Sequence, residues 1–123
     1  MFIRQLMKCK EITAGDDTRL RELFNPLADP LDLRYSLAHA TVGPGMTTLL
    51  HRMKTSEVYY ILVGAGEIEI DGEKSAVSPG DAVYIPPGSA QRITNTGGCG
   101  LVFIAIVDPA WRKEDEEVLK KVI

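Results

Sequence analysis

From Tyr35 onward the chain alternates short runs of β-favouring residues with Gly- and Pro-rich breaks. The runs are Tyr35–Val42, Thr47–Met53, Glu57–Val63, Glu67–Asp71, Ser75–Val77, Ala82–Ile85, Gln91–Asn95 and Leu101–Val107. The breaks include Gly43-Pro44-Gly45, Gly64-Ala65-Gly66, Ser78-Pro79-Gly80, Pro86-Pro87-Gly88 and Thr96-Gly97-Gly98. Asp71-Gly72 suits a type I′ hairpin turn, whose two central positions both take positive φ. Many short strands with such turns and almost no helix predict an all-β sandwich or barrel.

Two of these runs are apolar on both faces. Val58, Tyr60 and Leu62 alternate with Glu57, Tyr59, Ile61 and Val63, and Leu101, Phe103 and Ala105 alternate with Val102, Ile104 and Ile106. A strand in a single-layered barrel needs one apolar face, so the other calls for a cover. The N-terminal segment, a C-terminal helix or a second subunit are the candidates, and a homodimer is the expectation.

The ends of the chain read differently. Phe2, Arg4 and Leu6 alternate with Ile3, Gln5 and Met7, which suits a strand. Asp16-Asp17-Thr18 before Arg19–Phe24 reads as a capped helical turn, closed by Asn25-Pro26. Asp108-Pro109 fits an N-cap followed by proline in the first helical position. Glu114–Glu117 lie early and Lys120 and Lys121 late, as a helix dipole favours, and Val118, Leu119, Val122 and Ile123 form an apolar stripe. The organisation predicted is one domain over 1–123, with a core at 35–107, an extension at 1–34 and a packing helix at 109–123.

Composition narrows the field. The 123 residues are 45% hydrophobic and 25% charged, with a net charge of −3. A chain of this size buries about two thirds of its unfolded surface and can fold without disulfides. It lacks the clustered Lys and Arg that nucleic acid or an anionic membrane surface requires, so neither is an expected partner. Cys9 and Cys99 form no metal-type pair and read as reduced thiols. The start, MFIRQLMKCKEI, is too charged for a signal-peptide core, and no apolar run approaches the ~20 residues of a membrane helix. A cytoplasmic location is expected.

The candidate chemistry lies in two ordered blocks. Gly45, five residues, His51, one residue, Met53, three residues, Glu57, six residues and Gly64 make the first. Gly80, five residues, Pro86, one residue, Gly88, two residues, Gln91, three residues and Asn95 make the second. This spacing resembles the paired motifs of the cupin superfamily, Gly-x5-His-x-His-x3/4-Glu-x6-Gly and Gly-x5-Pro-x-Gly-x2-His-x3-Asn. Eight of the ten positions match; Met53 and Gln91 stand where the second and third His would be. The resemblance implies a double-stranded β-helix, the cupin jelly-roll barrel, with a divalent metal in its cavity.

Strand geometry offers an independent reason for the spacing. Residues two apart share a face, so His51 and Met53 point the same way. The short Lys54–Ser56 turn lets Glu57 open the adjacent strand, and Gln91 opens another after a rigid corner. Imidazole and carboxylate together suit Zn, Fe, Mn, Ni or Cu. Gln91 can offer a neutral amide oxygen, while the Met53 thioether suits only a soft ion. Three readings follow: a metal on His51, Glu57 and Gln91; a metal site that recruits His39; or a cavity that has lost its metal and binds a small molecule directly. His39, Met53 and Tyr59 are the further pocket candidates. Asn95 reads as a residue that ties down a turn.

Members of the resembled superfamily include isomerases, dioxygenases, decarboxylases, lyases, sensing domains and plain binding proteins, and fold does not decide among them. The first expectation is a metal-dependent enzyme, isomerase- or oxygenase-like, acting on a sugar phosphate or carboxylic acid. The metal would act there as a Lewis acid. The run through Glu57, Gly64 and Asp81 to Pro86 is similar to the cupin domain of mannose-6-phosphate isomerases. The alternative is a non-catalytic small-molecule-binding cupin, which the two ligand replacements favour. Glu57 can serve as a general base only where no metal claims it.

Overall fold

A computed structural model describes residues 1–120 and shows an all-β chain. The strands are β1 (Ile12–Thr13), β2 (Arg19–Phe24), β3 (Ser36–Val42), β4 (Leu50–Met53), β5 (Ser56–Val63), β6 (Gly66–Ile70), β7 (Glu73–Val77), β8 (Ala82–Ile85), β9 (Gln91–Asn95), β10 (Leu101–Asp108) and β11 (Glu116–Lys120). They form a six-stranded sheet in the order β1-β2-β3-β10-β5-β8 and a five-stranded sheet in the order β11-β4-β9-β6-β7. From β3 onward the chain crosses between sheets at every step except the β6–β7 hairpin, as a jelly-roll barrel requires.

Alternation explains the core. Tyr59 and Ile61 of β5, Ile93 of β9, and Leu101 and Phe103 of β10 turn inward and meet between the sheets. The Tyr59 and Phe103 rings lie 4.4 Å apart between centroids. The expected hairpin turn is present: Asp71 has φ 50° and Gly72 φ 84° between β6 and β7. Asn95 ties down its turn as expected. Its buried amide donates to Val42 O (2.9 Å) and Cys99 O (2.7 Å), and its oxygen accepts from Gly97 N (2.9 Å).

Both predicted helical stretches are corrected. Arg19–Phe24 is a strand, paired through Leu20 with Ala40 and through Glu22 with Ala38. The acidic residues before it form a turn, with Asp17 at φ 72° and Asp16 Oδ1 accepting from Thr18 N (3.1 Å). Asx turns and helix N-caps use the same side-chain-to-backbone bond, so the sequence signal serves either. At the other end only Lys113–Asp115 makes a 3-10 turn, and β11 follows it. β11 pairs with the edge of β4, Glu116 opposite Met53 and Val118 opposite His51. An unpaired sheet edge rewards strand addition over a solvent-exposed helix. Val122 and Ile123 of the predicted helix lie outside the described residues. The strand expected at Phe2–Met7 is not formed either; Leu6–Lys8 is a 3-10 turn, and Phe2 packs edge-on against Phe24.

The N-terminal segment does supply part of the expected cover. Arg21 Nη1, on the outer face of β2, donates to Leu6 O (3.4 Å). Farther across the same sheet, Tyr60 and Tyr84 remain 45% and 62% exposed. Among the described residues no helix is long and apolar enough to cross a membrane.

Candidate functional site

A cavity of about 540 Å³ opens inside the barrel. Leu20, Ala38, Ala40, Phe103, Ala105 and Val107 of the six-stranded sheet give it an apolar wall. Alanine at three of these inward positions leaves the room that a larger side chain would fill. Asp16, Glu22, His51, Glu57, Tyr59 and Glu116 give it a polar wall, with Trp111 and Lys113 from the segment before β11.

The two motif blocks bring His51, Glu57 and Gln91 together. Gln91 lies directly across from His51 in the β4–β9 pairing. All three are buried, at 2%, 7% and 1% exposure. The Gln91 amide is engaged at both ends. Its nitrogen donates to Glu57 Oε1 (2.5 Å), and its oxygen accepts from the Tyr59 hydroxyl (3.0 Å). Gln91 therefore locks Glu57 and Tyr59 in place and does not line the cavity, and neither does the buried Met53.

His51 is oriented differently. Nδ1 faces Leu49 O at 2.9 Å. A carbonyl only accepts, so Nδ1 carries the hydrogen and Nε2 of the neutral ring is an acceptor. The nearest anionic group to Nε2 is Asp16 Oδ2, at 3.6 Å. That distance is too long for a hydrogen bond.

Electrostatics make the polar wall proton-hungry. Burial pushes the Glu57 carboxyl from its ordinary 4.5 up to about 7; the Gln91 hydrogen bond and His51 oppose the rise, while Asp16 and Glu116 add to it. Burial also raises Glu116, with Asp16 contributing, against His51 and a hydrogen bond from Trp111. Tyr59 is pushed well above its usual value by burial and by the Glu57 charge. A carboxyl near 7 is divided between acid and base forms in neutral water, the condition for proton transfer in either direction.

A divalent transition metal needs three or four donors turned toward one point. Here the Gln91 oxygen is turned to Tyr59, and Met53 is outside the cavity lining. Among the described residues no group of three or more His, Cys, Asp or Glu side chains is arranged to hold a metal ion. The residues present therefore do not fit the metal that the motif spacing implies. His39 does not repair the deficit. It lies on the opposite face of β3 from Ala38 and Ala40, in a shallow recess with Leu6, Met7 and Arg21.

Sequence reading missed Asp16, Glu22, Trp111 and Glu116, all of which line the cavity. Each lies outside the motif blocks. The available signal was the two-residue period of Leu20 and Glu22, and of Glu116 and Val118, which marks a strand with one inward face.

The family description "Cupin domain" matches residues 38–107. An uncharacterised protein of Methanocaldococcus jannaschii is 40% identical over 114 residues, 92% of this chain and 90% of that protein. The oxalate-binding protein of Thermotoga maritima is 32% identical over 71 residues, 57% of this chain and 59% of the relative. Among solved structures, the Streptomyces protein PAC13 with uridine bound superposes with a TM-score of 0.81 at 14% identity, covering 100% of this chain and 93% of the other.

Proposed function

The chain belongs to the cupin domain family, and on that premise we propose that its barrel cavity binds a small organic molecule directly, without a divalent metal as intermediary. The observation that carries this is the Gln91 amide, bonded to Glu57 on one side and Tyr59 on the other. A ligand set of His51, Glu57 and Gln91 would put an ion in competition with both bonds for the amide and the carboxylate. The reading therefore favours the small-molecule-binding alternative over the metal-dependent enzyme. It leaves Glu57 free to exchange protons with whatever the cavity holds, and Tyr59 and Gln91 to fix its position. Relatives point to small molecules in general: one is named an oxalate-binding protein, and one solved structure carries uridine.

Metal analysis by plasma mass spectrometry tests it, on freshly purified protein and after dialysis against Mn, Fe, Ni, Cu and Zn. The expected content is far below one ion per chain in each case. Stoichiometric metal, lost in His51→Ala, would overturn the reading and restore the metal-dependent enzyme.

We also propose that the chain is a homodimer. Tyr60, Leu62 and Tyr84 leave the outer face of the six-stranded sheet apolar and open, which supports self-association there. Sedimentation velocity decides it: a single species of 13.5 kDa at micromolar concentration contradicts the dimer.

A further inference from the structure

We infer that the recess on the outer face of β2 and β3 is a second binding site, separate from the barrel cavity, for an oxyanion of the phosphate type. Strand register builds it. Arg19 of β2 lies opposite Thr41 of β3, and Arg21 lies opposite His39. Residues two apart share a face, so two guanidinium groups, an imidazole and a hydroxyl stand together in one block. All four line a recess of about 180 Å³, walled by Leu6 and Met7 of the N-terminal segment. The intervening residues, Leu20 on β2 and Ala40 on β3, line the barrel cavity instead, so the two sites occupy opposite faces of the sheet.

The charges of this recess are not balanced from within the chain. The protein as a whole carries −3, yet two arginines meet here on one strand face, where they repel. Neither Arg19 nor His39 is in an ion pair within 4.0 Å among the described residues. Glu11 is the one carboxylate in the lining. It stands 3.8 Å from Arg21 Nε, too far for a hydrogen bond, and its side chain is 44% exposed, so solvent screens the attraction.

The recess is also shaped in advance. Arg21 Nη1 donates to Leu6 O at 3.4 Å and lies 3.5 Å from Met7 Sδ. These contacts hold one guanidinium against the N-terminal segment, while Arg19 stays exposed and free to close on a ligand. Every remaining inward group can donate. Arg has five N–H donors in a planar fork, a neutral imidazole has one N–H in either tautomer, and Thr41 has its hydroxyl. Phosphate matches that set with several acceptor oxygens and close to two negative charges, and paired arginines suit it. A carboxylate offers two oxygens and a single charge. On the far side of His39, Ile104 of β10 lies opposite it in the sheet and bounds the recess with an apolar residue.

Calorimetric titration at neutral pH with inorganic phosphate, phenyl phosphate and benzoate tests the inference. Both phosphates are expected to saturate one site per chain, with benzoate about tenfold weaker or more. Arg19→Gln and Arg21→Gln should each weaken phosphate about tenfold or more. Arg19 is exposed, so its variant keeps the fold. Lys113→Gln removes the one lysine or arginine of the barrel-cavity lining and should leave phosphate binding unchanged. Tighter binding of phenyl phosphate than of inorganic phosphate assigns the site to a phosphate ester, and equal binding to the free ion; both support it. No saturable phosphate binding, benzoate binding as tightly as phosphate, or binding that survives Arg19→Gln combined with Arg21→Gln overturns it. Loss of binding in Lys113→Gln also overturns it, because the phosphate would then lie in the barrel.

Discussion

Replacing Glu57 by Gln keeps the shape of the side chain and removes its charge, so it isolates what that charge does to the barrel. The Gln91 amide can still donate to the new side-chain oxygen. In the folded chain the carboxyl sits at about 7, raised from 4.5 chiefly by burial. A group that holds its proton more tightly when folded makes the unfolded chain ionise first as pH rises. Its contribution to stability is intact below pH 4.5, falls through the interval up to about 7, and is fully lost above it. At about 1.4 kcal/mol per pH unit, that interval corresponds to about 3 kcal/mol. The Gln variant should thus match the wild type in stability at acid pH and exceed it by up to about 3 kcal/mol at mildly alkaline pH. Urea unfolding of both proteins across the range measures the difference directly. Other titrating groups are common to the two chains and largely cancel. A difference that does not grow with pH, or a variant that loses stability as pH rises, would refute the argument. The second outcome would mean that Glu57 is held as an anion by a cation, whether protonated His51 or a metal.

The remaining predictions concern packing, hydrogen bonding and edges. Phe103→Ala removes a fully buried ring packed at a tilt against Tyr59 and should cost about 3–5 kcal/mol in urea unfolding. Asn95→Ala strands the Val42 and Cys99 carbonyls and should cost about 2–4 kcal/mol, with amide exchange accelerated at Gly97. Ending the chain at Asp115 uncovers the edge of β4 that β11 pairs with, so light scattering should show increased self-association.

Local chemistry explains which parts of this structure could be read from the chain. The strands from β3 to β10 emerged with boundaries close to those observed, because Gly and Pro punctuate them and a period of two marks each inward face. Asp71-Gly72 and Asn95 declared their turns through residues suited to them. The segments that failed, β2 and β11, carry capping and charge signals that a helix would share, and become strands by pairing with distant partners, β3 and β4. The site divided along the same line. His51, Glu57 and Gln91 were brought together by motif spacing alone. The direction of the Gln91 amide, the outward turn of His39, and the arrival of Asp16 and Glu116 all depend on contacts made between segments far apart in the chain.

The account's central claim is that His51 presents a lone acceptor nitrogen to an organic ligand and not to a metal. Long-range nitrogen–proton correlation spectra of the imidazoles test this, recorded first on metal-free protein and then with one equivalent of Zn, with His39 as the internal reference. The expected spectrum has His51 protonated at Nδ1 in its neutral form, and Zn leaves its nitrogens where they were. A stoichiometric displacement of the His51 Nε2 resonance by Zn would contradict the claim.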